Sequence, residues 1–374
     1  MKYFIIAGEQ SGDLHGSNLV KELFAADHNA EIYCWGGDLM EAAGAELLMH
    51  YRKTAIMGLT AILRNLGTFI KHIDLCKKQI DEYKPDAVIL IDFPGFNLRI
   101  AKSAKRSGFR VFYYISPKFW AWKENRVKKV KKYVDRMFII FPFETEFYKK
   151  HGIKVEYFGN PLSDEIEKKS VLMPGKRELI TGLQLDERPV IALLAGSRKH
   201  EVTSILPQMI RVIDHFPDYQ FVLAGARNLS DELYIKITGN RQVRLVREKT
   251  YELLKISEAA LVASGTATLE TALFGVPQVV CYKGDFFSML AAWILIRVKF
   301  ISLVNLIMNK EVVKELLGYS LNKKNLLKEL SAILPGAWRR NEILSDYRAL
   351  RDKLGPSGAS RRIVLEMVRD LKSD

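Results

Sequence analysis

The chain has no apolar segment long enough to cross a membrane as a helix. Such a helix needs roughly 18–20 consecutive apolar residues. The most apolar stretch of this 374-residue chain, residues 286–296, is shorter, and Arg297 and Lys299 follow it. The sequence therefore predicts no transmembrane helix. Residues 3–7 are also apolar, but they are too few for a signal peptide and run into a glycine-rich turn, which favours a first β-strand.

Cysteine is scarce. The three cysteines, Cys34, Cys76 and Cys281, are odd in number and far apart in the sequence. Paired or clustered cysteines are typical of secreted disulfide frameworks and zinc knuckles. Their absence predicts reduced thiols, no bound metal and a cytoplasmic protein.

Two common nucleotide-binding motifs are missing. Gly8, Gly12 and Gly16 in the first turn are not spaced as in the G-x-G-x-x-G of dinucleotide-binding folds, and the second predicted strand ends in WGG without an acid at its tip. No G-x-x-x-x-G-K-[ST] sequence occurs either. A dehydrogenase and a P-loop ATPase are therefore disfavoured.

Basic residues outnumber acidic ones, and the formal net charge is +14. Such a surface attracts an anionic partner, which could be a nucleic acid, a phosphorylated substrate or an acidic membrane. The densest basic run, KENRVKKVKK at residues 123–132, is also typical of a solvated helix face. Charge alone does not choose among these interpretations.

Short apolar β-rich segments alternate with helical segments along the chain, which predicts parallel sheets with helices on both faces. The predicted strands are residues 3–7, 31–35, 87–91, 110–115, 136–141 and 155–158, and then 190–194, 220–224, 243–246, 260–263 and 278–282. The main predicted helices are residues 14–25, 59–83, 98–107, 125–134, 143–150, 202–215 and 267–274.

A break at Gly159-Asn160-Pro161 and a polar stretch at 163–177 separate the two series of strands. We therefore expect two Rossmann-like α/β domains, residues 1–165 and 166–344. The sequence leaves open whether the terminal helices, about 345–374, pack on the first domain.

Asp92 ends the buried strand 87–91, and Pro94 and Gly95 then turn the chain into a helix. In open parallel sheets, ligands bind beyond the carboxyl ends of the strands. A carboxylate at this position can act as a general base, or it can simply cap the helix that follows. The residues alone leave both roles open.

Two strand–helix turns in the second series suit a phosphate. In the first, Gly196, Ser197 and Arg198 combine a close backbone approach, a helix N-terminus and a forked cation. A plain turn with Arg198 on the surface is the alternative. The predicted phosphate-binding residues of the second turn are Ser264, Gly265, Thr266 and Ala267.

Glu270 lies about one turn into the helix that follows the second turn. There its carboxylate could bind both hydroxyls of a ribose. The alternative is an acid that interacts favourably with the helix dipole, worth roughly 0.3–1 kcal/mol. Two such loops in one α/β domain favour nucleotide binding.

Seven motifs occur together in a fixed order along residues 3–317: AGEQSGDLHG, IMGL, IDFPGFN, SPKFWAW, AGSRKHEV, ASGTATLE and SLVNLIMNKEVVKELL. As an ordered set they resemble the lipid A disaccharide synthase family. These are inverting glycosyltransferases of the GT-B type, with two Rossmann-like parallel-sheet domains facing a cleft.

The resemblance implies a specific reaction. A UDP-2,3-diacylglucosamine donor would transfer its sugar to the 6-hydroxyl of 2,3-diacylglucosamine 1-phosphate, giving a β-1,6-linked disaccharide 1-phosphate and UDP. It implies no metal, no cofactor and no nucleic acid partner. It also implies a cytoplasmic enzyme on the anionic inner membrane of a Gram-negative bacterium.

The resemblance also implies roles for individual residues. Asp92 would be the base, and Asn305 would lie near the donor nucleotide. Residues beside the sugars would be Glu9, Ser11, Gly12, Asp13, Ser116 and Trp120. Ser11 or Asp13 could equally cap the first helix, and Trp122 could equally belong to an aromatic core. Glu311 and Glu315, four residues apart, could simply share one helix face.

Three positions depart from the family pattern. Ala195 and Asn160 stand where proline and histidine are frequent. Gly95 stands where some members carry a second acid, which leaves Asp92 as the sole carboxylate of its loop. These differences bear on fine specificity more than on the class of reaction.

An amphipathic segment at residues 55–73 combines apolar and basic residues at helical spacing, as in helices that lie on membranes. Helical periodicity alone favours a core helix, whereas Gly58, Gly67 and the family resemblance favour membrane contact. The expected contact residues are Met57, Leu59, Ile62, Leu63, Leu66 and Phe69.

Two other functions are compatible with some of these features. Another GT-B enzyme that uses UDP-N-acetylglucosamine, either a transferase or an epimerase, would share the nucleotide loops and differ in its acceptor. A basic membrane- or nucleic-acid-binding protein without catalysis is the non-enzyme alternative, but no nucleic-acid-binding module is recognisable. The sequence leaves the choice between a monomer and a homodimer open.

Overall fold

The computed structural model describes residues 1–54, 66–120, 124–283 and 299–373. The chain divides into two compact units. Unit 1 comprises Met1–Pro161 and Pro356–Asp374, and unit 2 comprises Leu162–Gly355.

Unit 1 contains a seven-stranded sheet in which all neighbouring strands are parallel, in the order β3-β2-β1-β4-β5-β6-β7. The strands are β1 (Lys2–Ala7), β2 (Glu31–Gly36), β3 (Glu46–His50), β4 (Ala87–Ile91), β5 (Arg110–Tyr114), β6 (Arg136–Ile139) and β7 (Glu156–Tyr157). The central strand β4 is buried along its whole length, because helices cover both faces of a parallel sheet.

The helices of unit 1 connect these strands. Those before β5 are α1 (Gln10–Ala26), α2 (Asp38–Ala42), α3 (Tyr51–Thr54), α4 (Leu66–Tyr83) and α5 (Pro94–Arg106). Those after β5 are α6 (Val127–Tyr133), preceded by a 3₁₀ turn (Glu124–Arg126), and α7 (Glu144–Lys150). The last helix of the chain, α17 (Ala359–Lys372), packs on α1.

Unit 2 contains a six-stranded parallel sheet in the order β10-β9-β8-β11-β12-β13. Its strands are β8 (Val190–Leu194), β9 (Gln220–Gly225), β10 (Val243–Arg247), β11 (Ser257–Ala263), β12 (Gln278–Tyr282) and β13 (Lys314–Leu317). Two parallel α/β units within the described residues confirm the predicted fold class.

The helices of unit 2 follow in chain order. They are α8 (Pro161–Leu172), α9 (Lys176–Gly182), α10 (Lys199–Met209), α11 (Asp231–Thr238), α12 (Thr250–Ile256), α13 (Thr266–Leu273), α14 (Leu303–Met308), α15 (Lys323–Ser331) and α16 (Trp338–Leu354). Two 3₁₀ segments, Ile210–His215 and Gly318–Ser320, complete the unit.

The terminal residues divide between the units. Helix α16 belongs to unit 2, where the Tyr347 hydroxyl accepts a hydrogen bond from buried Gln278 at 3.1 Å. Helix α17 belongs to unit 1. There Arg136 of β6 pairs with Glu366 at 2.7 Å and with Asp370 at 3.0 Å. These partly buried ion pairs fix the last helix to the start of strand β6.

Two strands were missed from the sequence. Strand β3 is short and only half-buried, so its pattern is weak. Strand β13 includes Glu315, whose spacing from Glu311 suggested a helix face. Pairing of β13 with β12 overrides that local spacing, since tertiary context decides the conformation of short segments.

Each sheet has a point at which the strand order reverses, between β1 and β4 in unit 1 and between β8 and β11 in unit 2. Ligands of open parallel sheets bind beyond the carboxyl ends of the strands at such a point. The turns that leave these four strands are therefore the first places to look for function.

Candidate active site

Asp92 follows β4 at the reversal point of the first sheet, beside the turn that leaves β1. The register pairs Ala7 of β1 with Ile91, and Ile91 with Tyr114 of β5. Asp92 thus lies at the carboxyl edge of three adjacent strands.

The backbone at Asp92 is strained and held in place. Asp92 and Phe93 have φ angles of +44° and +45°, in the left-handed region that non-glycine residues rarely adopt. The Asn97 side-chain amide donates hydrogen bonds to the carbonyl oxygens of Ile91 at 3.1 Å and Asp92 at 2.9 Å. The Tyr113 hydroxyl also donates to the Asp92 carbonyl. Strain that the surroundings maintain in this way is typical of active-site residues.

Close packing accompanies this geometry. A Cβ atom built on Gly8, at the end of β1, would lie 2.3 Å from the ring of Phe93. Only glycine therefore lets the Phe93 ring approach the backbone of the β1 turn. In the sequence AGEQSG, Gly8 thus leaves room for the Phe93 ring, in addition to the polar side chains that the turn carries.

Burial raises the pKa of Asp92 to about 6, because the carboxylate loses water that stabilises its charge. The charge of Lys118 opposes this rise, and that of Glu9 adds to it. A carboxyl group with a pKa near 6 is ionised at neutral pH and is still basic enough to accept a proton.

The turn after β1 contains both exposed and buried members of the predicted sugar-binding set. Glu9 and Ser11 are exposed, whereas Gly12 is buried. Asp13 is 2 % exposed, and its carboxylate accepts hydrogen bonds from the backbone N–H groups that begin α2, Gly37 at 2.8 Å among them. Asp13 therefore joins α1 to α2 and is committed to the fold, which corrects its expected contact with a sugar.

The loop after β5 carries Ser116 and Trp120. Ser116 Oγ lies 2.7 Å from the Tyr148 hydroxyl, and both residues are buried. Trp120 is partly exposed, and its indole N–H donates to Glu144 at 3.2 Å. Trp122 lies outside the described residues.

Glu144 is a residue that the sequence did not single out. It is 1 % exposed and accepts hydrogen bonds from Trp120 and from the backbone N–H of Phe141 at 3.1 Å. Burial raises the pKa of Glu144 to about 7. The one available signal was its place just after a strand end, in the sequence FPFE.

In unit 2, the turn after β8 carries Gly196, Ser197 and Arg198. The Glu201 carboxylate accepts the backbone N–H groups of Ser197 at 3.1 Å and Arg198 at 3.2 Å. The donors expected to bind a phosphate are thus already occupied within the chain. The Arg198 side chain is 62 % exposed, and its guanidinium lies 3.7 Å from the Glu201 carboxylate.

The turn after β11 carries the second predicted phosphate loop. Ser264 donates its hydroxyl to Ile301 O at 3.2 Å, while Gly265 and Thr266 are exposed at the start of α13. Ala267 is partly buried. The two predicted loops leave β8 and β11, the strands that flank the reversal point of the second sheet.

Glu270, predicted to bind a ribose, lies on α13 and accepts a hydrogen bond from the Tyr251 hydroxyl at 3.1 Å. Burial raises the pKa of Glu270, and Glu165 adds to the rise. Tyr251 is thus a further residue beside the predicted nucleoside site that the sequence did not reveal.

Asn305 is fully buried. Its side-chain amide donates to Val313 O at 2.8 Å and to Glu315 at 2.9 Å, and its oxygen accepts the Val312 N–H at 2.8 Å. These bonds occupy the side chain that was expected near the nucleotide. Asn305 therefore holds together the segment that joins α14 to β13.

The membrane segment is described only in part. Met57, Leu59, Ile62 and Leu63 lie outside the described residues, and Leu66 is the first residue of α4. Phe69 is 8 % exposed and packs edge-on against Phe96, with ring centroids 6.0 Å apart. The expected membrane contact of Phe69 is therefore wrong, because its ring belongs to the core of unit 1.

The described ranges contain no membrane-spanning helix and no metal-binding cluster. No helix there is long and apolar enough to span a bilayer. No group of three or more histidine, cysteine, aspartate or glutamate side chains there is arranged to hold a metal ion.

Comparison with known proteins identifies one family. The family described as lipid-A-disaccharide synthetase matches residues 3–362. Among the relatives, the lipid-A-disaccharide synthase of Syntrophus aciditrophicus is 40 % identical over 99 % of this chain and 98 % of its own length. That of Geobacter metallireducens is 37 % identical, over 98 % and 97 %. That of Coxiella burnetii strain Dugway is 35 % identical, over 96 % of both chains.

Solved structures share the fold. A Staphylococcus aureus MnaA–UDP structure superposes with a TM-score of 0.72 at 16 % identity, covering 100 % of this chain and 98 % of that one. A Neisseria meningitidis UDP-GlcNAc 2-epimerase bound to UDP-GlcNAc gives 0.70 at 15 % identity, covering 99 % and 100 %. A Rickettsia africae glycosyltransferase gives 0.62 at 12 % identity, covering 100 % and 99 %. At these identities the likeness concerns the fold alone.

Proposed function

Because the chain belongs to the lipid-A-disaccharide synthetase family of glycosyltransferases, we propose that it joins two acylated glucosamines. The donor is UDP-2,3-diacylglucosamine, and the acceptor is 2,3-diacylglucosamine 1-phosphate. The products are the β-1,6-linked disaccharide 1-phosphate and UDP. The names of the relatives and the family match over nearly the whole chain support this choice of substrates.

The observation that carries the mechanism is the position of Asp92. Its carboxylate takes the proton from the acceptor 6-hydroxyl as that oxygen attacks the anomeric carbon of the donor. The bond between this carbon and the diphosphate oxygen breaks on the opposite face, so the configuration inverts. UDP leaves with the bonding electrons. Support comes from a pKa of about 6 and a backbone held at the end of β4.

Glu9 and Ser11, the exposed residues of the β1 turn, are proposed to bind the sugars beside this base. Trp120 is proposed to line the same site. Hydrogen bonds between such groups and sugar hydroxyls orient the acceptor for attack. Gly12 and Ser116 are buried, so they are proposed to support this surface without being exposed on it.

The departing diphosphate needs positive charge to stabilise it. In unit 2 we assign this role to Arg198, whose guanidinium is exposed and suited to phosphate oxygens. Gly196 and Ser197 shape its turn, and Ser264, Gly265, Thr266 and Ala267 offer a second phosphate contact at the N-terminus of α13. Glu270, oriented by Tyr251, binds the ribose. Asn305 acts indirectly, by supporting the chain after α14.

Unit 1 is proposed to contact the anionic inner membrane, where acylated substrates reside. Helix α6 buries Val127 and Val130 and exposes all four of its lysines: Lys128, Lys129, Lys131 and Lys132. Each such charge contributes about 1 kcal/mol near an anionic surface. The relatives come from Gram-negative bacteria, which is consistent with this location.

Vesicle sedimentation tests the membrane contact. The protein is expected to sediment with anionic vesicles at low salt, and a variant with the four α6 lysines changed to glutamine is expected to stay in solution. Lys324→Gln/Lys328→Gln on α15 is the control for charge loss elsewhere. Full recovery of the wild type in the supernatant at low salt would contradict the contact.

The reaction is tested with purified protein and both substrates in EDTA, by following UDP and disaccharide. Asp92→Asn is expected to lower kcat by about 10²-fold or more. Asp81→Asn, an exposed carboxylate on α4 of the same unit, is the control and keeps full activity. Wild-type protein that binds UDP yet forms no disaccharide would overturn the proposed acceptor. Turnover of UDP-N-acetylglucosamine alone would indicate an epimerase instead.

A further inference from the structure

Helix α7 holds both ends of the loop that follows β5, residues 115–120. Near the start of this loop, Ser116 Oγ lies 2.7 Å from the Tyr148 hydroxyl. At its end, the Trp120 indole N–H donates to the Glu144 carboxylate at 3.2 Å. Glu144 and Tyr148 lie four residues apart, so they share one face of α7. The loop is therefore fixed to a single helix at two points.

Glu144 is itself held firmly in place. It is the first residue of α7 and is 1 % exposed. One of its carboxylate oxygens accepts the Trp120 indole N–H, and the other accepts the backbone N–H of Phe141 at 3.1 Å. A buried carboxylate needs such donors, because burial removes the water that would otherwise stabilise it. The bond to Trp120 is thus part of the way in which this carboxylate is stabilised.

The ring of Trp120 is also oriented by aromatic packing. It meets Phe143 edge-on, with ring centroids 5.0 Å apart and an interplanar angle of 89°. Phe143 in turn stacks on Phe141, with centroids 5.6 Å apart. The indole N–H is the single polar group of a tryptophan side chain, and Glu144 binds it. The partly exposed Trp120 ring therefore presents apolar carbon atoms to its surroundings.

The loop begins beside the proposed base. Strands β4 and β5 are neighbours, and the Asp92 N–H donates to Tyr114 O at 3.2 Å. Tyr114 is the last residue of β5, so the loop leaves the same edge of the sheet at which Asp92 lies. The next residue, Ile115, has a φ angle of +64°, and its N–H donates to Phe138 O at 3.0 Å. The loop thus has a defined course from its first residue.

We propose that Glu144 is a positioning residue, which holds the Trp120 ring as an apolar wall of the acceptor site. The proposal rests on the transferase function argued above. Glu144 is buried and acts through Trp120, not on the reacting atoms. Because Glu144 takes the indole N–H, the ring contacts carbon atoms of the acceptor and not its hydroxyl groups. Loss of the bond should therefore weaken binding of the acceptor and leave binding of the donor unchanged.

Nitrogen-15 NMR of tryptophan-labelled protein tests the bond without substrate. The Trp120 indole resonance is assigned by its loss in Trp120→Phe. Glu144→Met removes both acceptor oxygens, so exchange of this N–H with water should become about tenfold or more faster than in wild type. Glu146→Met, at an exposed position of the same helix, is the matched control and should leave the exchange rate unchanged. Equal rates in wild type and Glu144→Met would overturn the proposal.

Steady-state kinetics of the transferase reaction gives the second readout. Glu144→Met and Trp120→Phe should each raise KM for the acceptor about threefold or more, with KM for the donor within about twofold of wild type. The double variant should be no worse than the poorer single variant, since both changes break the same bond. Losses that multiply in the double variant would overturn the proposal. If Glu144→Met does not fold, Trp120→Phe decides alone, and an unchanged acceptor KM would overturn the proposal.

The two readouts separate this proposal from the proposed function. A bond shown by NMR in a protein that forms no disaccharide would overturn the transferase function. A working transferase in which neither variant changes the acceptor KM would overturn the positioning role of Glu144 alone.

Discussion

The hydroxyl group of Tyr113 donates a hydrogen bond to the main-chain carbonyl oxygen of Asp92. Asn97 donates to the same oxygen at 2.9 Å. A residue with a positive φ is thus held by side chains from the neighbouring strand and from the following helix. The orientation of the proposed base depends on these two donors.

Removal of the Tyr113 hydroxyl is expected to affect both stability and catalysis. Tyr113→Phe should lower the free energy of unfolding by about 1 kcal/mol, the typical net value of one hydrogen bond. It should also lower kcat severalfold with little change in KM, because the base loses one of its two supports. Tyr3→Phe is the control, since Tyr3 donates to Asp27 at 3.3 Å, far from Asp92 in sequence and at the opposite end of β1. An unchanged kcat in Tyr113→Phe would contradict the role of this bond.

The pH dependence follows from the pKa of Asp92, which burial raises to about 6. The proposed base works in its ionised form, so kcat/KM should be level above about pH 7 and fall as pH drops through 6. The pKa of Glu144 is also raised, to about 7. A control must therefore show which carboxylate causes the fall in kcat/KM at low pH, the acid limb of the profile. Glu144→Gln should leave the limb near pH 6 in place. Loss of the limb in that variant would assign it to Glu144.

The same raised pKa has a consequence for stability. The folded-state pKa of Asp92 lies above its ordinary value of 3.8, so the folded state is favoured relative to the unfolded state below about pH 4. This contribution is lost as pH rises from 4 through 6. The melting temperature of Asp92→Asn, relative to that of wild type, should therefore be higher at pH 8 than at pH 4. Equal differences at the two pH values would mean that Asp92 is not desolvated.

Substitutions at Asp13 and Ser11 should distinguish residues that stabilise the fold from residues that bind substrate in the turn after β1. Asp13→Ala removes a buried carboxylate that accepts three backbone N–H groups, and should cost about 2–4 kcal/mol of stability. Ser11 is exposed, so Ser11→Ala should change the free energy of unfolding by less than about 0.5 kcal/mol. Urea denaturation of both variants measures this. A stable Asp13→Ala protein that has lost only substrate affinity would contradict the structural role.

Arg198 should govern the affinity for UDP. Loss of a guanidinium–phosphate contact costs about 1.5–3 kcal/mol, so Arg198→Ala should bind UDP about tenfold or more weakly. Lys199→Ala, the next exposed cation on the same turn, is the control and should change affinity little. Isothermal titration calorimetry with UDP measures both. Equal losses in the two variants would indicate general charge attraction and not a specific contact.

The sequence by itself determined the class of fold and the places where function is concentrated. Continuous apolar runs such as 87–91 and 190–194 mark strands buried on both faces, and their alternation with helices favours parallel sheets. Asp92 stood out because an acid ended one of those runs. The ordered motifs pointed to the family that the comparisons then identified.

The tertiary structure decided which side chains are available for those functions. Asp13, Asn305 and Phe69 were plausible in sequence, yet each is buried. Asp13 accepts a hydrogen bond from Gly37, Asn305 donates to Val313, and Phe69 packs on Phe96. Glu201 was overlooked, although it occupies the N–H groups of the β8 turn. A hydrogen bond or a packed ring depends on the distance between atoms, and local sequence patterns do not specify that distance.

Strand order was also beyond the sequence. Local patterns locate strands, but the placement of β4 beside β1, and of β11 beside β8, depends on how whole helices pack against the sheets. That order puts the Asp92 turn and both predicted phosphate-binding turns at the reversal points.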